Sequence, residues 1–159
     1  MPLEIERKFL VPQFPEAYRK APRQAIQQGY LVVAETGDEV RIRKKDQSYT
    51  LTIKKGRGLQ RQEIECAISK DQFLALWPAT IGQQLQKTRY LLPQDIELDV
   101  YHGKLDHLIV AEVEFETLDQ AKAFTPPNWF GLEITAFQAF KNQSLVNVQE
   151  VNALLKTLD

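Results

Sequence analysis

The sequence has few of the features that would anchor, staple or export a chain. Cys66 is its single cysteine, so no disulfide can form within the chain and a reducing compartment is expected. No stretch approaches the ~18 consecutive apolar residues of a membrane span. The N-terminus carries Glu4 and Glu6 where a secretory signal would carry basic residues. We therefore expect a cytoplasmic protein that contacts no membrane.

The chain also lacks an excess of either charge. Lys and Arg total 20 and Asp and Glu total 21, which leaves a net charge of −1. A nucleic-acid-binding domain would normally be basic, so no nucleic-acid partner is expected. Apolar residues make up 43% of the 159 residues, which is enough for a hydrophobic core. The sequence is interpreted as a single domain over residues 1–159.

Most of the chain alternates between apolar and polar residues with period two, which predicts β-strands. Eight or nine such segments occur, at 3–11, 27–35, 39–45, 48–55, 62–68, 86–92, 95–102, 108–116 and 131–137. Turn-forming residues at 36–38 and 56–58 predict hairpins. Cys66 lies on one of these strands and is interpreted as a small core residue rather than a reactive thiol.

Helical signals are fewer. Ser69 and Thr117 are predicted N-cap residues for short helices over 69–77 and 117–124. Residues 145–158 place leucine and valine at a spacing of three to four, which predicts a C-terminal amphipathic helix. Together the elements predict an α+β domain built on a large antiparallel sheet.

Charged residues recur at alternate positions of the strands, so that within each strand they share one face. They pair by sign, as in Glu4/Glu6, Glu63/Glu65, Glu112/Glu114, Arg41/Arg43 and Lys87/Arg89. A solvent-exposed sheet face is one explanation, but such faces usually set opposite charges side by side. Within a closed barrel, a divalent metal would satisfy the carboxylates and a chain of phosphates would satisfy the cations.

Seven charged motifs occur in an order that resembles the CYTH superfamily, the triphosphate tunnel metalloenzymes. They are Glu4-Ile5-Glu6-Arg7-Lys8, Gln28-Gly29-Tyr30-Leu31, Val40-Arg41-Ile42-Arg43, Thr52-Ile53-Lys54, Glu63-Ile64-Glu65, Lys87-Thr88-Arg89-Tyr90 and Ala111-Glu112-Val113-Glu114-Phe115. The resemblance implies an eight-stranded antiparallel β-barrel, the triphosphate tunnel, with a few helices packed outside. It also implies hydrolysis of a linear triphosphate, above all inorganic tripolyphosphate, with Mg²⁺ or Mn²⁺.

The resemblance implies roles for individual residues. The acidic residues that match metal-binding positions are Glu4, Glu6, Glu63, Asp99, Glu112 and Glu114. The basic residues that match phosphate-binding positions are Lys8, Arg41, Arg43, Lys54, Lys87 and Arg89. Tyr30 matches a tyrosine of bacterial members and joins Glu4, Glu6 and Lys8 as a catalytic candidate, with packing as its alternative. Phe137, Phe140 and His107 depart from the family pattern and leave the choice of substrate open.

Other functions remain open at this stage. The superfamily includes adenylate cyclases, and thiamine or nucleoside triphosphates could occupy the same basic residues. A polyphosphate-binding module without catalysis would also use the cations, although it would gain nothing from the carboxylates. The expected partner is a small polyphosphate substrate, and the protein is expected to be a monomer or a homodimer.

Overall fold

A computed structural model of the chain describes residues 3–57 and 60–158. These residues form eight antiparallel strands: β1 (Leu3–Leu10), β2 (Arg23–Val33), β3 (Glu39–Lys45), β4 (Ser48–Lys55), β5 (Gln60–Ala67), β6 (Gln84–Leu92), β7 (Ile96–Tyr101) and β8 (Ile109–Phe115). The strands close into a barrel in the order β1-β5-β4-β3-β2-β6-β7-β8, which confirms the predicted architecture. The predicted turn at 56–58 includes Gly58, which lies outside the described residues.

Four short α-helices occur in the same described ranges: α1 (Lys70–Leu76), α2 (Leu118–Ala123), α3 (Asn142–Leu145) and α4 (Val151–Lys156). The first two begin as predicted, because Ser69 and Thr117 each accept a hydrogen bond from a backbone N–H of the first turn. In each of those helices the side chain of a glutamine accepts a hydrogen bond from the backbone N–H of the cap residue, which completes a capping box. None of the helices described is long and apolar enough to cross a membrane.

The barrel places the charged face of its strands inside. Lys8 lies opposite Glu112 between β1 and β8, and Arg89 lies opposite Asp99 between β6 and β7. Lys87 and Asp99 are each only 1% exposed, although they are ionisable. Because a closed barrel turns one face of every strand inward, the face that resembles a solvated one in the sequence is the enclosed one.

The outward face of β6, β7 and β8 is apolar and covered. Leu98, Ala111 and Val113 on these strands form a buried cluster. Phe124, at the end of α2, and Phe130, in the connection that follows, pack against that cluster from outside. The aromatic shell therefore supplies hydrophobic burial that the charged interior cannot.

The ninth predicted strand, over 131–137, is wrong. The described structure forms only an isolated bridge there, between Phe9 and Glu133. The reason lies in β1, which pairs with β5 only over Leu3–Ile5 and leaves the rest of that edge unpaired. The segment supplies the missing partners locally: the N–H of Gly131 donates to the carbonyl of Leu10 at 2.6 Å. The segment pairs only with this short free edge of β1, so it does not extend into a ninth strand.

The single C-terminal helix predicted over 145–158 is also wrong. The predicted helix begins where α3 (Asn142–Leu145) ends, and within the described residues 145–158 only α4 (Val151–Lys156) is a further α-helix, separated from α3 by residues 146–150. The apolar residues of the segment are nevertheless buried, because Leu145 and Val151 pack on Tyr101 and Val110, which lie on the inward faces of β7 and β8. The C-terminal segment thus packs over one end of the barrel, here called the closed end.

Cys66 is exposed, so its interpretation as a core residue is wrong. The alternation correctly places it on the outward face, opposite Leu51 on β4. Ile64 on the same strand is 42% exposed. An outward position of a barrel strand is buried only where another element covers it, and the sequence pattern does not show where that happens.

The structure shows where His107, one of the departures from the family pattern, lies in the fold. It adopts φ 76°, in the left-handed region that favours glycine, just before β8. A non-glycine residue is strained there. The side chain is exposed and lies in the turn before β8, outside the barrel interior.

We expect Leu145→Ala to destabilise the protein by about 2–5 kcal/mol, because the substitution opens a cavity around a side chain that is 0% exposed. The control Leu74→Ala truncates a leucine that is 54% exposed on α1 and should change stability by less than about 0.5 kcal/mol. Urea denaturation measures both. Equal losses in the two variants would show that the C-terminal segment is not packed into the barrel end.

Candidate active site

The barrel encloses a cavity of about 320 Å³, here called the tunnel cavity. Among the residues described, it is lined by Glu4, Lys8, Arg41, Arg43, Lys45, Lys54, Glu63, Glu65, Arg89, Glu97, Glu112, Glu114 and Asn142. All are charged or polar. A larger groove of about 560 Å³ lies on the outer surface beside α2, but its lining holds no basic residue and offers nothing to a polyphosphate.

Three carboxylates gather on β1 and β8. Glu4, Glu6 and Glu112 each place an oxygen within 4.8 Å of the other two. The Oε2 atom of Glu6 is buried and has no hydrogen-bond partner in the described part of the chain. Oxygen ligands converging in this way suit a hard divalent cation such as Mg²⁺ or Mn²⁺. These residues therefore fit the metal that the sequence predicts.

The nearest cations leave part of this negative charge uncompensated. Lys54 Nζ lies 2.7 Å from Glu4 Oε2, and Lys8 Nζ lies 3.6 Å from Glu6 Oε1. Glu114, the next acid along β8, lies at the exposed rim of this group, and partial burial together with the neighbouring carboxylates Glu4, Glu63 and Glu112 raises its pKa to about 7. This side of the cavity consequently attracts positive charge.

Asp99 stands apart from the three-carboxylate group. It accepts hydrogen bonds from Arg89 Nε at 2.8 Å and from Lys87 Nζ at 2.7 Å. Burial opposes its ionisation, but Arg89 and Lys87 outweigh burial and lower the pKa of Asp99 to about 2. The structure therefore pairs Asp99 with cations, whereas the sequence grouped it with the metal ligands.

Lys87 lies behind the cavity wall. Burial, assisted by Arg89 and Arg43, lowers the pKa of Lys87 to about 7 even though Asp99 favours the charged form. The sequence predicted that Lys87 binds phosphate directly. In the structure its ammonium donates to Asp99, and Nζ lies 5.4 Å from the ring centroid of Tyr101.

The arginines of β3 have hydrogen-bond donors that the described structure leaves unused or gives to a neutral group. Arg41 is 5% exposed, and its Nε has no hydrogen-bond partner among the described residues. Arg43 donates only to a neutral group, the Gln28 Oε1 at 2.8 Å. Burial, together with Arg41 and Arg89, lowers the pKa of Arg43 to about 10. An anion in the cavity would satisfy both guanidinium groups.

Tyr30 is fully buried and belongs to the cluster at the closed end. Its hydroxyl accepts a hydrogen bond from Gln28 Nε2 at 3.0 Å, and Gln28 in turn accepts from Arg43. Burial raises the pKa of Tyr30, so the hydroxyl keeps its proton. The structure thus favours the packing interpretation of Tyr30 and links it to Arg43 through Gln28, whereas its catalytic role stays a prediction.

Sequence reasoning missed several polar residues of this interior. Gln28 could have been found, because it alternates with Tyr30 on β2 and lies opposite Arg43. Glu39 could also have been found, because it precedes Arg41 on the same face of its strand. Asn142 was not predicted to line the site, since it lies in the C-terminal segment and reaches the cavity only through the tertiary fold.

The fold and the charged interior define a class of protein that comparison with known sequences identifies. The chain belongs to the CYTH domain family, whose profile matches residues 2–127. Metal dependence is typical of the triphosphatases of this family.

Two curated relatives share most of the chain. An inorganic triphosphatase of Nitrosomonas europaea is 47% identical over 146 residues, covering 89% of this chain and 95% of that protein. An inorganic triphosphatase of Acetivibrio thermocellus is 29% identical over 149 residues, covering 90% and 92%. Among solved structures, the crystal structure of an inorganic triphosphatase matches with a TM-score of 0.68 and 42% identity, over 94% of this chain and 98% of that one.

The raised pKa of Glu114 gives a stability prediction for the metal-free protein. Its folded pKa is about 7 and its ordinary value is 4.5, so between these pH values the folded state binds the additional proton. Stability therefore decreases as the pH rises through that window. In EDTA, we expect Glu114→Gln to raise the melting temperature relative to wild type by more at pH 8 than at pH 5, by a few degrees. Thermal melts at both pH values test this.

The control Glu116→Gln changes an exposed glutamate that does not line the tunnel cavity. Its difference from wild type should be the same at both pH values. If Glu114→Gln also shows one constant difference, the carboxylates do not repel one another as the structure indicates.

Proposed function

We propose that the protein hydrolyses a linear triphosphate bound in the tunnel cavity, with inorganic tripolyphosphate as substrate and pyrophosphate and orthophosphate as products. The observation that carries this proposal is the buried guanidinium of Arg41, whose Nε lacks a hydrogen-bond partner within the described structure. It faces the same cavity as the carboxylates Glu4 and Glu112. A chain of phosphates that carries a metal ion is a ligand that satisfies both groups at once.

The proposed metal ligands are Glu4, Glu6 and Glu112, with Glu63 and Glu114 close enough to adjust the charge around them. Carboxylate oxygens favour Mg²⁺ or Mn²⁺, with substrate phosphates and water completing the coordination. Bound there, the metal would neutralise phosphate oxygens and acidify the attacking water.

The basic residues hold the phosphates in line for attack. Arg41 and Arg43 offer guanidinium donors from β3, while Lys8 and Arg89 line the cavity from other strands. As water attacks one phosphorus and the bridging P–O bond to the next phosphate breaks, negative charge grows on the leaving pyrophosphate. Preorganised donors stabilise that charge without having to reorient during the reaction. No covalent intermediate with the protein is needed.

Asp99 and Lys87 have supporting roles in this proposal. Asp99 fixes the guanidinium of Arg89 through two hydrogen bonds, at 2.8 and 2.9 Å. Lys87 holds the second side of the same carboxylate at 2.7 Å. The pair therefore orients a phosphate-binding arginine from behind the cavity wall.

The cavity lining favours an inorganic triphosphate over a nucleotide. All of its described lining residues are charged or polar, and none is aromatic. A nucleobase would have no ring to stack on and would have to remain outside. The same lining disfavours thiamine triphosphate and the cyclase reaction of ATP.

Phosphate release tests this function directly. We expect the protein to release orthophosphate from tripolyphosphate with Mg²⁺ or Mn²⁺, and much more slowly from ATP or thiamine triphosphate. We expect Glu6→Gln to reduce that turnover by at least about 100-fold, because losing a support of a metal ligand alone costs 10–100-fold. Turnover of Glu6→Gln within twofold of wild type would contradict the metal assignment.

The control Glu65→Gln alters an exposed glutamate at the same cavity, outside the three-carboxylate group, and should retain most of the activity. Formation of cyclic AMP and pyrophosphate from ATP would support the cyclase instead. Tight binding of polyphosphate without phosphate release would support a binding module.

Arg41→Met tests the phosphate-binding half of the site. We expect kcat/KM for tripolyphosphate to fall by about 100-fold or more, since removing one preorganised donor to developing charge has effects of this size. The melting temperature of the metal-free and ligand-free protein should change little, because the substitution removes the repulsion between Arg41 and Arg43 together with the attraction of Arg41 to Glu39 and Glu4. The exposed control Arg19→Met should leave kcat/KM unchanged. A marked loss of stability would indicate that Arg41 is a structural residue.

A further inference from the structure

The closed end of the barrel is covered by a packed segment, here called the floor. It is formed by the C-terminal segment, residues 138–158, which follows the part of the chain that the CYTH profile matches. Gln143 donates to the carbonyl of Gly37 at 3.2 Å, and Lys104 donates to the carbonyl of Val146. Leu145 and Val146 are both 0% exposed. The segment is therefore held to two connections of the barrel and to its apolar end.

Asn142 is the residue of this segment that lines the tunnel cavity within the described structure. Its Oδ1 accepts a hydrogen bond from the hydroxyl of Tyr101. Burial raises the pKa of Tyr101 well above its usual value, with Asp99 and Glu112 acting in the same direction, so the hydroxyl keeps the proton that it donates. This bond occupies the carbonyl side of the amide and leaves the Nδ2 donors for the cavity.

We propose that Asn142 is a substrate-binding residue, whose Nδ2 donates to an oxygen of the terminal phosphoryl group at the closed end of the tunnel cavity. This inference rests on the proposed function. Tyr101 is the positioning residue, because it holds the amide in the orientation that presents its donors. The phosphate chain enters from the opposite end, so the floor determines how deeply it can penetrate.

A neutral donor fits the electrostatics of this end. Burial and neighbouring cations already lower the pKa of Lys87 to about 7 and that of Arg43 to about 10. A further cation at position 142 would add to that repulsion in the empty protein. An amide can donate to a phosphate oxygen without adding to the repulsion among these cations when the cavity is empty.

Asn142→Asp tests the proposal. The carboxylate has nearly the same shape and still accepts from Tyr101, but it replaces the donor with a negative charge that repels phosphate. We expect KM for tripolyphosphate with Mg²⁺ to rise at least tenfold. The melting temperature of the empty protein should fall by no more than a few degrees, because the carboxylate keeps the hydrogen bond from the Tyr101 hydroxyl. If Asn142 were purely structural, Asn142→Asp would lower the melting temperature and leave KM unchanged.

The matched control is Asn147→Asp, which places the same charge at an exposed position of the same segment. It should leave KM within twofold of wild type. Equal KM values for Asn142→Asp and Asn147→Asp would overturn the proposal. If Asn142→Asp does not fold, Asn142→Ser removes the amide without adding charge, and an unchanged KM in that variant would overturn the proposal equally.

A second measurement separates this inference from the proposed function. The rise in melting temperature caused by tripolyphosphate reports binding without requiring turnover. If wild type binds but releases no phosphate, the proposed hydrolysis fails, while a smaller rise in Asn142→Asp than in Asn147→Asp still supports the floor contact. Tyr101→Phe should raise KM in the wild-type background and add nothing in the Asn142→Asp background, whereas additive effects would show that Tyr101 does not act through Asn142.

Discussion

Burial of ionised groups inside a closed barrel is the constraint on which the rest of this structure depends. Removing a charge from water costs several kcal/mol unless a partner and hydrogen bonds compensate for it. The barrel compensates some of its charges internally, as where Arg89 and Lys87 share the carboxylate of Asp99. It leaves others without a described partner, notably Arg41 Nε and one oxygen of Glu6. These groups lack a hydrogen-bond partner, and the proposed phosphate chain and metal would supply one.

An interior filled with charge forces the hydrophobic core to lie elsewhere. One apolar cluster covers the outward faces of β6, β7 and β8, and the other fills the closed end of the barrel. The C-terminal segment belongs to the second cluster through Leu145 and Val146. The same packing that stabilises the fold thus brings Asn142 to the cavity. Stability and the shape of the candidate site are coupled at this end.

The sequence predicted the strands, the charged face and most of the cavity lining, because period-two alternation is a local property that a barrel preserves. It could not show which outward positions are covered, so Cys66 was wrongly assigned to the core. It could not show that β1 has a free edge for residues 131–134, or that α3 ends at Leu145. The place of Asn142 at the cavity was not predicted, because it depends on where a distant segment docks. These outcomes depend on tertiary contacts, which alternation does not encode.

The balance of charge in the cavity explains how the empty protein can fold and still bind a polyanion. Six acidic and six basic residues line it, so the lining is neutral in sum. Neutrality limits the repulsion that the empty barrel must tolerate, whereas a purely basic interior would favour binding at the expense of folding. The charges are nevertheless segregated, which raises the pKa of Glu114 and lowers that of Arg43. A metal ion together with a phosphate chain would neutralise both the local negative charge and the local positive charge, whereas either one alone would neutralise only one of them. Binding of the two should therefore be mutually reinforcing, because each neutralises the charge that the other introduces.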